Sequence, residues 1–217
     1  MTELNQNLGQ EEFSPPQIAL IIAAERLFGD RSIDSVSLRE IAVKAGNGNN
    51  NAVQYHFESK RGLIDAIFRF RVQQMETPRA EMLAAMERDN QLSDLRRLSE
   101  AYCLPLLNLV DETGKHTYAS FISQYILRHR PQGITHAIDT MPGAVSLRKL
   151  QSLVDQRLNH LPPDIFQLRL AVVYLIFTNM LERSDSDGVS RDHPVLFQKR
   201  VNDALSMMEV AFQAAVL

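Results

Sequence analysis

The side chains best suited to chemistry lie in one polar stretch between an asparagine cluster and a basic pair. Asparagine and glutamine amides can each offer a donor and an acceptor to adenine in the major groove. Tyrosine, histidine and lysine more often hold phosphates. The stretch contains Asn49, Asn50, Asn51, Gln54, Tyr55, His56 and Lys60. These residue types favour contacts with DNA, with Asn50, Asn51 and Gln54 on base edges and Tyr55, His56 and Lys60 on the backbone.

Two short helices are predicted to position these side chains. Ser37 is followed three residues later by Glu40, a capping box that predicts where a helix begins. Gly46 predicts its end, and the asparagine-rich run that follows turns the chain and caps a second helix. Val53 and Phe57 are the obvious inward positions of that second helix. Apolar residues of the first helix recur at helical spacing, namely Leu38, Ile41, Ala42 and Ala45. The pattern predicts a helix-turn-helix.

Each of these features has a plainer explanation when it is taken alone. The asparagine run is also typical of a solvated loop, and Lys60 with Arg61 is typical of a solvated helix start. Ser59 is a good N-cap, so the free N–H groups of the next helix are expected beside those two cations, which favours phosphate binding. The order and spacing of the features together favour DNA.

A longer N-terminal pattern surrounds the motif, from a helix ending in AAERLF to the segment YHFESK. Its residues are Leu20, Ile21, Ala23, Ala24, Leu27, Phe28, Val36, Ser37, Leu38, Ile41, Ala42, Ala45, Gly46, Val53, Tyr55, His56, Phe57, Ser59, Lys60 and Leu63. From about Leu20 to Leu63 the chain therefore resembles the TetR family of one-component transcriptional repressors. The resemblance implies a three-helix DNA-binding domain, a helical ligand-binding and dimerisation body, and regulation by a small molecule.

The chain departs from the family pattern at three points. Ser32 stands where a glycine usually ends the first helix, and the turn formed by residues 47–51 is one residue longer than usual. Gln54 replaces a common phosphate-binding tyrosine, so we expect Gln54 to contact a base instead.

The start of the first motif helix is also expected at the interface, through Ser37 and Arg39. By resemblance, Arg39 could reach a guanine, and a bidentate arginine is the commonest specific contact to that base. The equally good alternative is that Arg39 is an exposed partner for Glu40 or Glu58.

Charge gives only partial support to DNA binding. The chain of 217 residues has a net charge of -3, whereas DNA-binding domains are usually basic. From Ser35 to Arg61, four cations (Arg39, Lys44, Lys60 and Arg61) stand against two anions, so the local net charge is +2. We expect modest nonspecific affinity, and a dimer that adds a second set of phosphate contacts.

Composition and cysteine usage indicate a globular cytoplasmic protein, with 45% hydrophobic and 23% charged residues. The single cysteine, Cys103, excludes an internal disulfide framework, and its apolar surroundings predict a buried packing residue; a redox sensor is the alternative.

Residues 1–13 are polar and acidic, unlike a signal peptide, and are predicted to be a disordered arm. The apolar run 168–181 is interrupted by polar residues, so it is predicted to be too short to cross a bilayer and to form a buried helix.

Helical periodicity throughout predicts an all-α fold. We expect a helix-turn-helix domain over 14–58, a connecting helix over 59–77 that Pro78 stops or kinks, and a ligand-binding and dimerisation domain over 78–217. A capping box of Ser14 and Gln17 predicts the start of the first helix. Helices of the last domain are predicted near 78–88, 93–110, 117–130, 144–160, 163–183 and 193–216, with a break at 184–190.

The last two predicted helices are the candidate dimer interface. The final helix has a broad apolar stripe formed by Phe197, Val201, Ala204, Leu205, Met208, Ala211, Phe212 and Ala215. A helix that is apolar on more than one face needs more than one neighbour. A homodimer would also place its two recognition helices about 34–36 Å apart on a palindromic operator. The alternative is burial of these faces within one subunit.

A largely apolar effector of unknown identity is expected in a cavity of the helical body. The predicted contacts are Phe121, Tyr125, Arg128, His129, Tyr174 and Phe177. Arg128 and His129 suit an anionic end of a ligand, although a solvated basic cluster at a helix C-terminus is the simpler explanation. Aromatic residues at helical spacing are also more often plain core.

The sequence lacks the motifs that catalysis would require. It has no HExxH, no glycine-rich phosphate loop, no GxSxG and no paired ExxH metal pattern. We therefore expect no enzyme activity, metal or cofactor. The prediction is a DNA-binding transcription regulator, in particular a ligand-released repressor. The alternatives are a helical ligand-binding or interaction protein without DNA-binding activity and, less well supported, an all-helical enzyme acting on an apolar substrate.

Overall fold

The computed structural model describes residues 13–128 and 141–215, and the regular structure in those ranges is helical, without strands. This confirms the predicted all-α fold. Two short 3-10 helices lie at Ile33–Ser35 and Leu104–Asn108. The α-helices are α1 (Pro15–Asp30), α2 (Leu38–Lys44), α3 (Ala52–Phe57), α4 (Lys60–Arg88), α5 (Leu95–Cys103), α6 (Thr117–Arg128), α7 (Val145–Leu158), α8 (Pro163–Ser186), α9 (Val189–Asp192) and α10 (Pro194–Gln213). Most of the predicted arm, together with His129, Arg130 and the last two residues, lies outside the described ranges.

Helices α1, α2 and α3 form a small bundle that packs on the start of α4. The predicted capping boxes are present at both helix starts, with Gln17 accepting from the Ser14 backbone N–H at 2.9 Å and Glu40 accepting from that of Ser37 at 2.9 Å. The bundle has a closed core in which Leu20, Ala24, Phe28, Ile41, Ala42, Val53 and Leu63 are fully buried. This core orients α2 and α3 relative to each other.

Helix α4 does not stop at Pro78, so the predicted helix end near residue 77 is wrong. The helix continues for ten residues beyond the proline to Arg88. Proline removes one backbone hydrogen bond from the helix interior and crowds the preceding turn. Here the helix buries Met75, Arg79, Leu83 and Met86 at helical spacing across that position. Tertiary packing on both sides of Pro78 keeps the segment helical despite the local cost.

Two other predicted boundaries differ from the structure. The helix predicted over 93–110 is α5 followed by a tighter 3-10 segment from Leu104, because Pro105 cannot donate to the preceding turn. The break predicted over 184–190 is too wide, since α8 runs to Ser186 and α9 begins at Val189. Gly188 makes this sharp reversal with a φ of 76°.

The body of the protein is built around α8, which packs against both α6 and α10. Helix α8 has 24 residues and contains an 18-residue window with a mean hydropathy of 1.4, so by length and composition it could cross a membrane, whereas the sequence predicts that the apolar run 168–181 is too short to do so. Its polar groups are nevertheless bonded inside the bundle. Ser123 Oγ lies 2.9 Å from Thr178 Oγ1, and Arg169 donates to the carbonyl of Phe212 at the end of α10. The predicted buried helix is therefore present only in part, because the buried residues of α8 are limited to Val173, Phe177, Thr178, Leu181 and Ser184.

A buried ion pair joins the N-terminal bundle to the rest of the chain. Glu25 on α1 is fully buried and accepts two hydrogen bonds from Arg71 on α4, at 2.6 and 2.9 Å. Thr117, the first residue of α6, donates to the same carboxylate at 2.6 Å. Three helices that are far apart in sequence therefore meet at one carboxylate.

We expect Glu25→Gln to lower the free energy of unfolding by about 3–5 kcal/mol, because the neutral amide leaves the Arg71 guanidinium without a buried counter-charge. Urea denaturation followed by circular dichroism measures this loss. The matched control is Glu87→Gln, which removes an exposed ion pair between α4 and Lys149 on α7 and should change stability by only about 0.5 kcal/mol. Equal effects of the two substitutions would contradict the structural importance of the Glu25–Arg71 pair.

Candidate nucleic-acid interface and internal cavity

The turn between α2 and α3 is held by backbone hydrogen bonds at its start. The N–H of Gly46 donates to the carbonyl of Val43 at 3.0 Å, and the N–H of Asn47 donates to that of Ala42 at 2.9 Å. This is a Schellman motif, which requires a left-handed residue at the position of Gly46, whose φ is 68°. The glycine predicted to end the first motif helix is therefore required by the backbone conformation.

The asparagine side chains then order the rest of the turn. The Asn47 side-chain oxygen accepts from the backbone N–H of Asn49 at 2.9 Å, and the Asn49 side-chain oxygen accepts from that of Asn51 at 2.9 Å. The predicted turn chemistry is present, but these bonds lie within the loop, and Asn51 at the N-cap of α3 makes no side-chain cap bond. The side-chain oxygen of Asn49 is thus engaged within the turn, whereas the side chains of Asn50 and Asn51 are exposed.

Helix α3 presents its polar side chains to solvent. Ala52, Val53 and Phe57 are buried, as the spacing predicts for the last two, whereas Gln54 and Tyr55 are exposed. The Tyr55 side chain is 79% exposed, which is unusual for so large a ring without a partner surface. His56 is half-buried and meets the Tyr55 ring edge to face at 4.8 Å. The outward face of α3 therefore consists of amide, phenol and imidazole groups.

A close approach of two backbones fixes α3 against α4. Glu58 ends α3 in a left-handed conformation with a φ of 63°, and the Ser59 side chain caps α4 by accepting from the Gly62 N–H at 3.0 Å. A side chain at Gly62 would collide with the Phe57 carbonyl oxygen. The glycine lets the first turn of α4 lie directly on the end of α3, so the two helices are held at one angle.

Among the basic residues of the motif, Lys60 is bonded to a backbone carbonyl, whereas the others are exposed. Lys60 Nζ donates to the carbonyl of Ile33 at 3.0 Å, within the loop that precedes α2. Its ammonium group therefore ties α4 to that loop in this structure, whereas the sequence predicts a DNA-backbone contact. Arg39, Lys44 and Arg61 are exposed. Within the described residues Arg39 makes no ion pair, so the alternative of a pair with Glu40 or Glu58 is absent there.

Glu40 is instead held by the capping box and by Arg31. The backbone N–H of Ser37 is the main cause of a lowered pKa, followed by a hydrogen bond from Arg31 at 3.0 Å, and together they lower the pKa of Glu40 to about 2. The charged carboxylate of Glu40 is thus part of the start of α2, next to Ser37 and Arg39 on the same exposed surface.

The helical body encloses a cavity of about 140 Å³ between α4, α5, α6, α7, α8 and α10. Of the predicted ligand contacts, Tyr125 and Tyr174 line it. Phe121 and Phe177 do not, because their fully buried rings fill the core beside it. Arg128 is exposed at the end of α6, away from the lining, and His129 lies outside the described residues. Two of the six predicted contacts are thus in the described wall of the cavity, and whether any of them contacts a ligand stays a prediction.

The sequence prediction missed the charged residue that does line the cavity, Arg79. One signal was available, because Arg79 falls at helical spacing between Met75 and Leu83 on an apolar face. Its position next to Pro78, where a helix end was predicted, concealed that spacing. The Cys103 thiol lies nearby and is fully buried, as predicted, and burial raises its pKa, so the thiol stays protonated.

The geometry of α2, the turn and α3 defines a helix-turn-helix transcription regulator as the class of protein. Residues 20–67 match the family model described as bacterial regulatory proteins, tetR family. The matched segment begins within α1, contains the whole motif and ends in α4. This match confirms the resemblance predicted from the sequence and supports a DNA-binding transcription regulator of this family. No curated protein matches the chain.

The lowered pKa of Glu40 predicts how the start of α2 responds to acid. A carboxylate whose pKa is depressed in the folded protein stabilises it fully above its ordinary value of 4.5, and this contribution is lost as the pH falls toward 2. A carbon-13 NMR titration of the Glu40 carboxyl should therefore give a midpoint well below 4.5. Arg31→Gln should raise that midpoint, and a midpoint that stays the same in the variant would contradict the ion pair.

Proposed function

We propose that the protein binds a palindromic operator as a homodimer and represses transcription until a small molecule enters its cavity. The observation that carries the DNA-binding part is the exposed polar face of α3, which is anchored from behind by Val53 and Phe57. In this six-residue helix Gln54 and Tyr55 are exposed, and within the described part of the chain neither side chain has a hydrogen-bond partner. Such a surface fits a major groove, where amides contact base edges.

Each exposed group has a role that suits its chemistry. Asn50, Asn51 and Gln54 carry amides that can pair with adenine. Ser37, Asn49, Tyr55 and His56 can hold the DNA backbone, and Arg39 is long enough to reach a guanine or a phosphate. We assign Lys60 a mainly positioning role, because its Nζ already donates to the carbonyl of Ile33. Phosphate attraction near α4 then rests on Arg61.

We expect Gln54→Ala to weaken binding to the specific operator by roughly tenfold to a hundredfold while leaving nonspecific binding unchanged, because a good base contact contributes about 1–3 kcal/mol of discrimination. Tyr55→Ala should weaken binding to specific and nonspecific DNA alike. A gel-shift titration on DNA flanking the protein's own gene, against unrelated DNA of equal length, measures both affinities.

The matched control is Gln156→Ala, which removes an exposed amide from α7 in the body and should leave both affinities as they are. Absence of any sequence-selective complex at low salt would refute the repressor proposal. It would favour the second candidate, a helical ligand-binding or interaction protein that keeps the motif as a scaffold.

The exposed apolar residues of α8 and α10 support dimerisation. These two helices pack against each other within the subunit, yet both leave apolar side chains in solvent. The exposed side chains are Leu168 and Val172 on α8, and Leu196, Met207 and Val210 on α10. A second copy of the same two helices would cover them in a four-helix interface. This also accounts for an apolar helix, α8, that is mostly uncovered in one subunit.

We expect the protein to have the mass of two subunits in solution and Val172→Asp with Val210→Asp to reduce it to one, because buried unpaired carboxylates disrupt an apolar interface. Light scattering after size-exclusion chromatography measures the mass. Val145→Asp, at an exposed valine on α7, is the control and should remain dimeric. A wild-type protein that is monomeric at every concentration would contradict the proposed interface.

Ligand release is the third part of the proposal. The cavity is lined by Phe68, Val72, Met75 and Arg79 of α4, and the first turn of the same helix holds α3. A molecule that displaces α4 at the cavity would therefore move the helix that positions α3. We propose that the regulator acts in the cytoplasm on an apolar or amphipathic effector.

A further inference from the structure

The cavity is apolar over most of its wall but contains one permanent charge. Arg79 projects from α4 into the lining and is 1% exposed. The guanidinium group is planar and carries five N–H donors and no acceptor. Burying a charge without a counter-ion is costly. The structure therefore keeps an unfavourable group where an ordinary core would have a methionine or leucine.

The guanidinium of Arg79 is only partly compensated by its neighbours. Nη2 donates to the backbone carbonyl of Tyr102 at 3.2 Å, and Cζ lies 5.5 Å from the centre of the Tyr102 ring. Nε and Nη1 are buried and have no hydrogen-bond partner within the part of the chain that the structure describes. Two strong donors thus remain without an acceptor among residues 13–128 and 141–215.

The acidic residues on neighbouring helices are already engaged elsewhere. Glu25 is paired with Arg71. Glu76, one turn before Arg79, accepts from the backbone N–H groups that begin α7 at 2.8 and 3.2 Å. Glu100 on α5 binds two arginines of its own helix. An anion for Arg79 must therefore come from outside these residues, and the cavity is the space next to it.

The size and the walls of the cavity limit what this anion can be. An engineered protein cavity of about 150 Å³ holds benzene, so about 140 Å³ suits a molecule with one ring. The walls include the rings of Phe68, Tyr118, Tyr125 and Tyr174, which favour edge-to-face contact with an aromatic guest. Burial raises the pKa of Tyr118, so its phenol stays neutral and adds no negative charge to the site.

We propose that the cavity binds a small aromatic monocarboxylate of the size of benzoate, with its carboxylate on the free N–H groups of Arg79 and its ring among the tyrosines. This inference rests on the proposed role of the cavity as an effector site. It places the anionic end of the ligand on α4, in contrast to the sequence prediction, which placed it on Arg128 and His129. A carboxylate there would form charge-assisted hydrogen bonds with the guanidinium. It would also neutralise the buried charge, so both effects would favour binding.

Calorimetric titration of the dimer or monomer, as purified, with sodium benzoate tests the proposal. We expect saturable binding of benzoate and a raised melting temperature, with benzamide, its neutral analogue, giving neither. Arg79→Met should weaken benzoate binding by about tenfold to a hundredfold, because hydrogen bonds to charged groups are the strong ones. Arg128→Met, at the exposed arginine of α6, is the matched control and should bind benzoate as the wild type does.

Three outcomes would overturn the proposal: no binding by benzoate, equal binding of benzoate and benzamide, or benzoate binding that survives Arg79→Met. We expect that variant to fold, because replacing an uncompensated buried charge by an apolar group is often neutral or stabilising. If it does not fold, the nitrogen-15 signal of Arg79 Nε in the wild type decides, since it should shift with benzoate and not with benzamide.

Gel shifts run in parallel separate this inference from the proposed function. Benzoate binding that leaves the operator complex intact would support the carboxylate site and refute ligand release. If the protein binds its operator selectively but shows neither calorimetric binding of benzoate nor a raised melting temperature, only the carboxylate site is overturned.

Discussion

The continuity of α4 is the constraint on which both candidate sites depend. At one end, the close approach of Gly62 to the Phe57 carbonyl holds the exposed helix α3. In its middle, Arg71 is locked to Glu25 on α1, and further along Arg79 enters the cavity. A helix of 29 residues is about 43 Å long, so a single stiff element connects the polar face of α3 to the inside of the body. The structure offers no hinge in the described residues of α4, since even Pro78 is accommodated within the helix.

Two buried arginines on α4, Arg71 and Arg79, differ in how completely their guanidinium groups are bonded. Arg71 has a carboxylate, a glutamine and a neighbouring aromatic ring around it, with Gln74 accepting from its Nη1 at 2.9 Å. Arg79, two turns later, has a backbone carbonyl and the face of Tyr102, and no carboxylate of the described residues pairs with it. A fully bonded buried pair rigidifies the junction of three helices, whereas a partly bonded charge leaves binding capacity unused. Arg71 therefore has a structural role, whereas Arg79 is the candidate ligand contact.

Sequence reasoning succeeded where the determining interactions are local. The capping box of Ser37 and Glu40, the left-handed Gly46 and the inward spacing of Val53 and Phe57 are all patterns of about five residues or fewer, and all are present. It failed where a distant part of the chain changes the balance. Pro78 is a strong local signal for a helix end, but packing of residues on both sides of it prevails. The contact of Lys60 with DNA stays a prediction, but its ammonium group also donates to the Ile33 carbonyl 27 residues earlier in the chain, which no local pattern indicates.

The cavity shows the same division. Its aromatic wall could be anticipated in part, because Tyr125 and Tyr174 fall at helical spacing, but spacing does not distinguish a ring that lines a space from one that fills the core, as Phe121 and Phe177 do. The sequence by itself determined the helical class, the turn and the residue types offered to DNA, because backbone caps and hydrophobic periodicity act over a few residues. Only the tertiary structure decided which arginine would be buried without a counter-charge and which carboxylate would join three helices. Burial and long-range pairing depend on which distant helices pack together, and no local pattern specifies that.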